Sequence, residues 1–355
     1  MTKVIATGIS DVGRKRKGNE DSFFIDEALQ LYVVADGMGG HNAGEVASRI
    51  VVETIKGLMN HYKTEPPAPG ACDPTVSEEA CQLLTAIHSA NAKVFEAARS
   101  NPAHKGMGST VSAVYVVGEK LITANVGDSP IYLIRNGAIE PVYVPHTMMA
   151  EYEALAPGGS KTLAEKFRHM ITRAMGIAET VKPAVFETLW KPGDLLVVSS
   201  DGLTDKVTAE EILDQSGHHD PQALCRHFVD MANARGGDDN ITVITVAIGG
   251  IGDSKVSTAG ATTPAAVVVH IDTEDASYSG LLKKVDGEVL FIETVEPFAQ
   301  GTPITLTIAD PDSHDALMVE ATVVRRRTAG IDVACKGIVA EQQLVLAKIS
   351  TQLAG

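Results

Sequence analysis

The chain has 355 residues, a formal net charge of −15 and 44% hydrophobic residues, enough length for two domains or more and enough apolar material for a sizeable core. The acidic balance argues against general nucleic-acid binding, which needs a basic face. No apolar run approaches the length of a membrane span, and Met1–Ile5 lacks a signal-peptide apolar region, so the expected location is the cytoplasm.

The first strand-like run is Leu31-Tyr-Val-Val-Ala35, which ends on Asp36-Gly-Met-Gly-Gly-His41. Gly44 to His61 then shows apolar residues at helical spacing, through Ala47, Ile50, Val51, Ile55, Leu58 and Met59. A Pro-rich loop follows from Thr64 to Gly70. Ser77 to Arg99 reads as a long helix with Ser77 as N-cap and acids in the first turn. Strands are expected at Ser109 to Val117, Leu121 to Val126, Ile131 to Arg135 and Ala138 to Tyr143, the last two joined by the hairpin signal Asn136-Gly137. Met148 to Phe167 is polar and weakly helical and reads as a surface lid. Val185 to Trp190 and Leu195 to Ser199 are strands, Pro221 to Ala234 a helix, and Thr242 to Ile248 a closing strand. Strands outnumber helices and arrive in adjacent runs, which favours sheet packed on sheet with helices outside.

Gly249 to Ala266 is rich in Gly, Ser, Thr and Ala without a hydrophobic period and reads as a linker. Beyond it, short strands are expected at Val267 to Ile271, Gly280 to Leu282, Val289 to Glu293, Pro303 to Ile308 and Leu317 to Arg326, with a terminal helix from Glu341 to Thr351. A small β-barrel with a C-terminal helix is the simplest assembly. The expected domains are therefore 1–249 and 267–355, joined by 250–266. Cys72, Cys81, Cys225 and Cys335 show no metal-binding spacing and are read as reduced, small apolar residues.

Three aspartates stand out. Asp36 and Asp201 each close an apolar run and precede Gly, while Asp239 precedes Asn240 and the run Ile241 to Val246. A carboxylate at a strand end reaches into a cleft. Hard divalent cations favour carboxylate and carbonyl oxygen, and Gly lets backbone approach an ion closely. The pattern suggests a di-metal hydrolase. Taken singly, an Asp beside Gly is usually a turn former.

The first 249 residues resemble the bacterial metal-dependent protein phosphatases of type 2C. The resemblance rests on ordered motifs: Ser10-Asp-Val-Gly-Arg14, Asn19-Glu-Asp-Ser22, Val34 to His41, Gly108-Ser-Thr110, Asn125-Val-Gly-Asp-Ser129, Ile171 to Gly176, Ser200-Asp-Gly-Leu203 and Asp239-Asn240. It implies an α+β fold, a central β-sandwich flanked by helix pairs. It also implies hydrolysis of phosphoserine and phosphothreonine on proteins by a metal-activated water, with two Mn²⁺ or Mg²⁺ ions. On this resemblance Asp36 bridges both metals, Gly37 offers its carbonyl oxygen, and Asp201 and Asp239 complete the pair. Glu20 orients the water, Asp128 is a ligand of the third metal that bacterial members often hold, and Arg16 clamps the substrate phosphate. Met148 to His169 would be the variable flap. Asp21, Asp238 and His41 are read as supporting residues and His146 as a cap. The implied partners are phosphoprotein substrates and a serine/threonine kinase whose work is reversed. The rival is a phosphatase-like binding module without catalysis, and the intact carboxylate set speaks against it.

The C-terminal stretch resembles a PilZ domain through Asp275-Ala-Ser-Tyr-Ser-Gly280 and the order of the strands that follow. Such domains commonly bind cyclic di-GMP with an upstream R-x-x-x-R, but Thr258 to Val269 contains no arginine. Tight binding of that ligand is not expected. A regulatory or docking role is.

Overall fold

The computed structural model describes residues 4–40, 43–67, 76–150, 170–218, 220–249, 267–273, 277–294, 298–309, 316–327 and 330–354. The linker 250–266 and most of the flap, 151–169, lie outside the described residues. In chain order the N-terminal part carries β1 (Val4–Asp11), β2 (Ser22–Asp26), β3 (Leu31–Ala35), β4 (Gly37–Met38), α1 (Ala43–His61), α2 (Glu78–Ser100), β5 (Gly108–Ser109), β6 (Val111–Val117), β7 (Lys120–Val126), β8 (Ile131–Arg135), β9 (Ala138–Pro141), β10 (Ala184–Leu189) and β11 (Leu195–Ser199). Then come α3 (Asp201–Thr204), α4 (Ala209–Ser216), α5 (Pro221–Ala234) and β12 (Ile241–Ile248).

Two antiparallel sheets face each other. One has the order β1-β12-β11-β8-β9, and the other runs β10-β7-β6-β3-β2 within a larger sheet. The alternation of the strands decides what each face meets. Tyr32 and Val34 of β3 point between the sheets with Leu133, Val198, Ile244 and Val246 of the opposite sheet. Val33 and Ala35, the intervening residues, pack with Ala47, Val51, Ile55, Leu83 and Ile87 of α1 and α2. On the far side Val197, Ile241 and Val243 meet Leu224, Phe228 and Ala232 of α5. The central strands β3, β6, β11 and β12 are covered on both faces, which is why they read as nearly continuous apolar runs.

Local signals set the boundaries. Ser77 Oγ accepts from Ala80 N at 3.2 Å and starts α2. Thr208 and Glu211 form a capping box on α4. Asn136 and Gly137 have φ of 54° and 79°, the two left-handed residues that a type I′ hairpin between β8 and β9 requires. β1, β2, α3 and α4 were absent from the sequence expectation. β1 mixes Thr, Gly and Ser with Val and Ile and is only half-buried along its length, so it has no sharp hydrophobic period. Cys81 is not the reduced cysteine expected from the sequence: in the first turn of α2 it is disulfide-bonded, while Cys225 and Cys335 are free and buried. Disulfide formation depends on Cα proximity in space, which sequence spacing does not report.

The C-terminal part contains β13 (Val267–Asp272), β14 (Ser277–Asp286), β15 (Val289–Glu293), β16 (Pro303–Ala309), β17 (Ala316–Arg327), β18 (Gly330–Cys335) and α6 (Ala340–Ala354). They pair in the order β13-β16-β17-β18-β15-β14, and β13 also pairs with β14. β18 was not expected from the sequence. β14 joins the N-terminal part: it runs parallel to β10, with Ala184 opposite Ser277 and Phe186 opposite Ser279. No helix of the described residues is long and apolar enough to cross a membrane.

Candidate active site

The strand registers bring the motif residues to one end of the sandwich. β3 ends at Ala35, so Asp36 follows the strand out of the sheet. Val111 of β6 pairs with Val126 of β7, which places Thr110 beside the Gly127-Asp128 turn. Ser199 of β11 pairs with Val243 of β12, which sets Ser200 and Asp201 against the Asp239–Thr242 segment. Asp11 of β1 pairs with Ile241 and delivers the loop that carries Arg16 and Glu20 to the same end.

A hydroxyl network holds Asp36. Thr110 N donates to Asp36 O at 2.8 Å and Asp36 N donates to Thr110 Oγ1 at 3.0 Å. Thr110 Oγ1 in turn shares a 2.7 Å hydrogen bond with Ser129 Oγ, next to Asp128. Asn240 ties the other side together. Its Nδ2 donates to Val12 O and Gly18 O, each at 3.0 Å, and its Oδ1 accepts from Glu20 N at 2.8 Å. The loop of residues 12–20 is thereby pinned beside Asp239. Two glycines make this approach possible. A Cβ on Gly37 would lie 2.1 Å from Gly44 O and 2.5 Å from Glu20 O, and one on Gly202 would lie 2.0 Å from Asn240 O.

The carboxylates feel one another. Asp36 is pushed well above the usual carboxylate range, first by burial and then by the charges of Asp21, Asp201, Asp239 and Asp128. Asp201 is raised to about 8 by burial, with Asp128, Asp205, Asp239 and Asp21 adding repulsion. Asp21 is raised to about 6 by burial, against which the hydroxyls of Thr242 and Ser200 hold it down. Those hydroxyls donate to Asp21 Oδ2 at 2.6 and 2.8 Å. Arg16 is the cation of this face: its Nη2 lies 2.8 Å from Asp239 Oδ2 and its Nη1 3.6 Å from Glu20 Oε2, and its side chain is 46% exposed.

Buried like charges cost free energy unless a cation compensates them. Oδ1 of Asp21 and Oδ1 of Asp201 are buried without a hydrogen-bond partner. Carboxylate oxygens of this kind, with the Gly37 carbonyl, are a donor set for a hard divalent cation. The residues fit such an ion, although among the described residues no three acids already stand in a closed coordination cluster.

The family profile described as Protein phosphatase 2C matches residues 14–240. The chain belongs to the protein phosphatase 2C family. A protein phosphatase 2C-type protein of Streptococcus pyogenes is 34% identical over 245 residues, covering 67% of this chain and 94% of the relative. Protein phosphatase PhpP of Streptococcus pneumoniae is 30% identical over 248 residues, 68% of this chain and 96% of the relative. The solved catalytic domain of the serine threonine protein phosphatase PstP, in complex with two manganese ions, matches with a TM-score of 0.60 and 29% identity, over 70% of this chain and 99% of that one. As a member of the 2C family the chain is a metal-dependent phosphatase, with Mn²⁺ or Mg²⁺ as cofactor.

The seven residues expected from the 2C motifs, Arg16, Glu20, Asp36, Gly37, Asp128, Asp201 and Asp239, all fall at this end of the sandwich. Asp238 pairs with Lys206. His41 lies outside the described residues. His146 is not a helix cap: its Nδ1 accepts from Gly127 N at 3.1 Å, and the cap is Thr147, whose Oγ1 accepts from Ala150 N at 3.2 Å. Asn240, Thr110 and Ser129 stood inside the motifs without an assigned task. Only their long-range partners reveal one.

Proposed function

We propose that this carboxylate face hydrolyses phosphoserine and phosphothreonine on proteins and reverses a serine/threonine kinase in bacterial signalling. The observation that carries the reading is the convergence of Asp36, Asp201, Asp21, Asp128 and Asp239 at one end of the sandwich, beside an exposed arginine. Asp36, Gly37 O, Asp201 and Asp239 would hold two divalent ions, and Asp128 would contribute to a third. The ions supply Lewis acidity and a water of lowered pKa. The residues of the chain do the rest. Arg16 grips two phosphate oxygens with a planar guanidinium, matching a group that carries about two negative charges at neutral pH. Glu20 lies beside Arg16, where its carboxylate orients the attacking water. Asp21 keeps the Ser200–Thr242 side of the cleft in place. Substrate phosphoproteins are the natural partners, and the cytoplasm is the location this reading gives.

The catalytic unit spans 1–249 and the linker 250–266. The unit 267–355 is a small PilZ-like β-barrel with a terminal helix. The ring of pairings from β14 through β13, β16, β17, β18 and β15 back to β14 supports that reading. Its role is regulatory or docking, and cyclic di-GMP is not its expected ligand because the paired upstream arginines are missing from the sequence.

The test is hydrolysis of p-nitrophenyl phosphate and of a phosphothreonine peptide by the full chain. Turnover should depend on added Mn²⁺ or Mg²⁺ and vanish on chelation. Metal-loaded protein that binds phosphopeptide but never releases phosphate would favour the binding-module reading instead.

A further inference from the structure

Among the described residues one strand pairing joins the C-terminal part to the N-terminal sandwich, and the register of that pairing leads to the metal-binding end. β10 is the only strand of the N-terminal sandwich that pairs with the C-terminal part among the described residues. Ala184 of β10 is flanked on both sides: Asn125 of β7 lies opposite it in the antiparallel pairing, and Ser277 of β14 lies opposite it in the parallel one. Two ladder steps, roughly 10 Å, therefore separate Ser277 from Asn125. Asn125 is three residues before Asp128 and holds that turn with its side chain. Its Nδ2 donates to Gly127 O at 3.3 Å and to Val144 O at 2.7 Å, and its Oδ1 accepts from Val144 N at 3.0 Å. Gly127 is held from the other side by His146, whose N donates to Gly127 O at 3.0 Å and whose Nδ1 accepts from Gly127 N at 3.1 Å.

The parallel pairing is short. Only Ala184, Val185 and Phe186 find partners on β14. Parallel ladders are slightly less stable per residue than antiparallel ones, so three pairs alone hold the register of this pairing weakly. A side chain adds to it. Lys182, two residues before Ala184, donates from Nζ to Thr273 O at 2.7 Å, on the connection between β13 and β14. A charge-assisted hydrogen bond at the end of a short pairing fixes its register and keeps the two parts from sliding.

We propose that Lys182 is a positioning residue for the phosphatase site: it ties the C-terminal part to β10 and so holds the Asn125–Ser129 turn in register. The C-terminal part then acts as a brace on the edge of the catalytic sheet. Any partner or modification that loosens β14 from β10 would loosen the Asp128 turn. The proposal rests on the reading of that face as a phosphatase site, but its structural half does not.

The experiment compares wild type, Lys182→Met and Lys182→Arg in the full chain by amide hydrogen exchange and by kinetics. Lys182→Met keeps the apolar stem and removes the donor. Exchange should rise roughly three- to tenfold at Gly127 and at β14, the scale of one lost hydrogen bond of ordinary net strength. It should stay unchanged in β12, on the opposite sheet, which reports on the fold as a whole. With a phosphothreonine peptide kcat should fall roughly threefold while KM holds, since Lys182 is not at the substrate-binding face. Lys182→Arg, which retains a donor, should restore both. Exchange at Gly127 that stays at the wild-type rate in Lys182→Met while β14 loosens would overturn the proposal, as would loosening that includes β12. An inactive wild-type protein would count against the phosphatase reading alone, because the exchange result would still stand.

Discussion

Arg16 is poised between two acids, 2.8 Å from Asp239 and 3.6 Å from Glu20, with nearly half of its side chain open to solvent. In its proposed role as phosphate clamp it contributes mainly to binding the phosphate before reaction. Arg16→Ala should therefore raise KM for a phosphothreonine peptide about tenfold or more, the scale of a lost charged hydrogen bond, with a smaller change in kcat. An unchanged KM would remove Arg16 from the phosphate site and leave it as a partner of Asp239. At this scale much of the site was legible. Asp36 and Asp201 announce themselves by closing apolar runs beside a glycine, and Asp239 by preceding one. What was not legible is the support. Asn240 reaches back 228 residues to Val12, and Thr242 reaches 221 residues to Asp21. A motif shows that such a residue is present but not which distant atom it serves.

Elements meet at this site more closely than side chains would permit. Gly202 opens α3 directly against the Asp239-Asn240 segment, and its missing Cβ leaves the room that Asn240 O occupies 2.0 Å from where that carbon would be. Gly202→Ala must push α3 and the start of β12 apart. Overpacking of this kind costs about 2–3 kcal/mol, so thermal denaturation of the variant should show Tm lowered by roughly 5–10 °C. A Tm within a degree of wild type would mean that the two backbones can separate freely. The hairpin β8–β9 was legible because Asn136-Gly137 encodes both left-handed residues locally. β1 was not, because it is completed by β12 from the other end of the N-terminal part, Val4 opposite Ile248. The β10–β14 junction was hidden for a related reason: the low-complexity stretch between the two parts reads as a separator, and a parallel pairing leaves no turn signal.

For the whole molecule, the acid cluster links stability to metal and to pH. Asp201 has its folded pKa near 8 and Asp21 near 6, both above the ordinary 3.8. For an acid with a raised folded pKa, the favourable contribution is complete below the unfolded value and is lost as pH rises through the folded one. Chelated protein should therefore lose thermal stability between pH 5 and pH 8, and saturating Mn²⁺ should raise Tm more at pH 8 than at pH 6, because binding to the native state compensates the ionised acids. An equal Mn²⁺ effect at both values would mean that the acids carry no mutual strain. On the proposed function the converging carboxylates, led by the buried Asp36, hold the ions on which phosphate release depends. The decisive comparison is between wild type and Asp36→Asn, with Mn²⁺ binding followed by calorimetry and phosphate release from a phosphothreonine peptide measured on the same protein. The variant should keep the wild-type circular dichroism, lose at least one Mn²⁺ site and release no phosphate above background, whereas wild-type turnover by Asp36→Asn at equal Mn²⁺ would contradict the assignment.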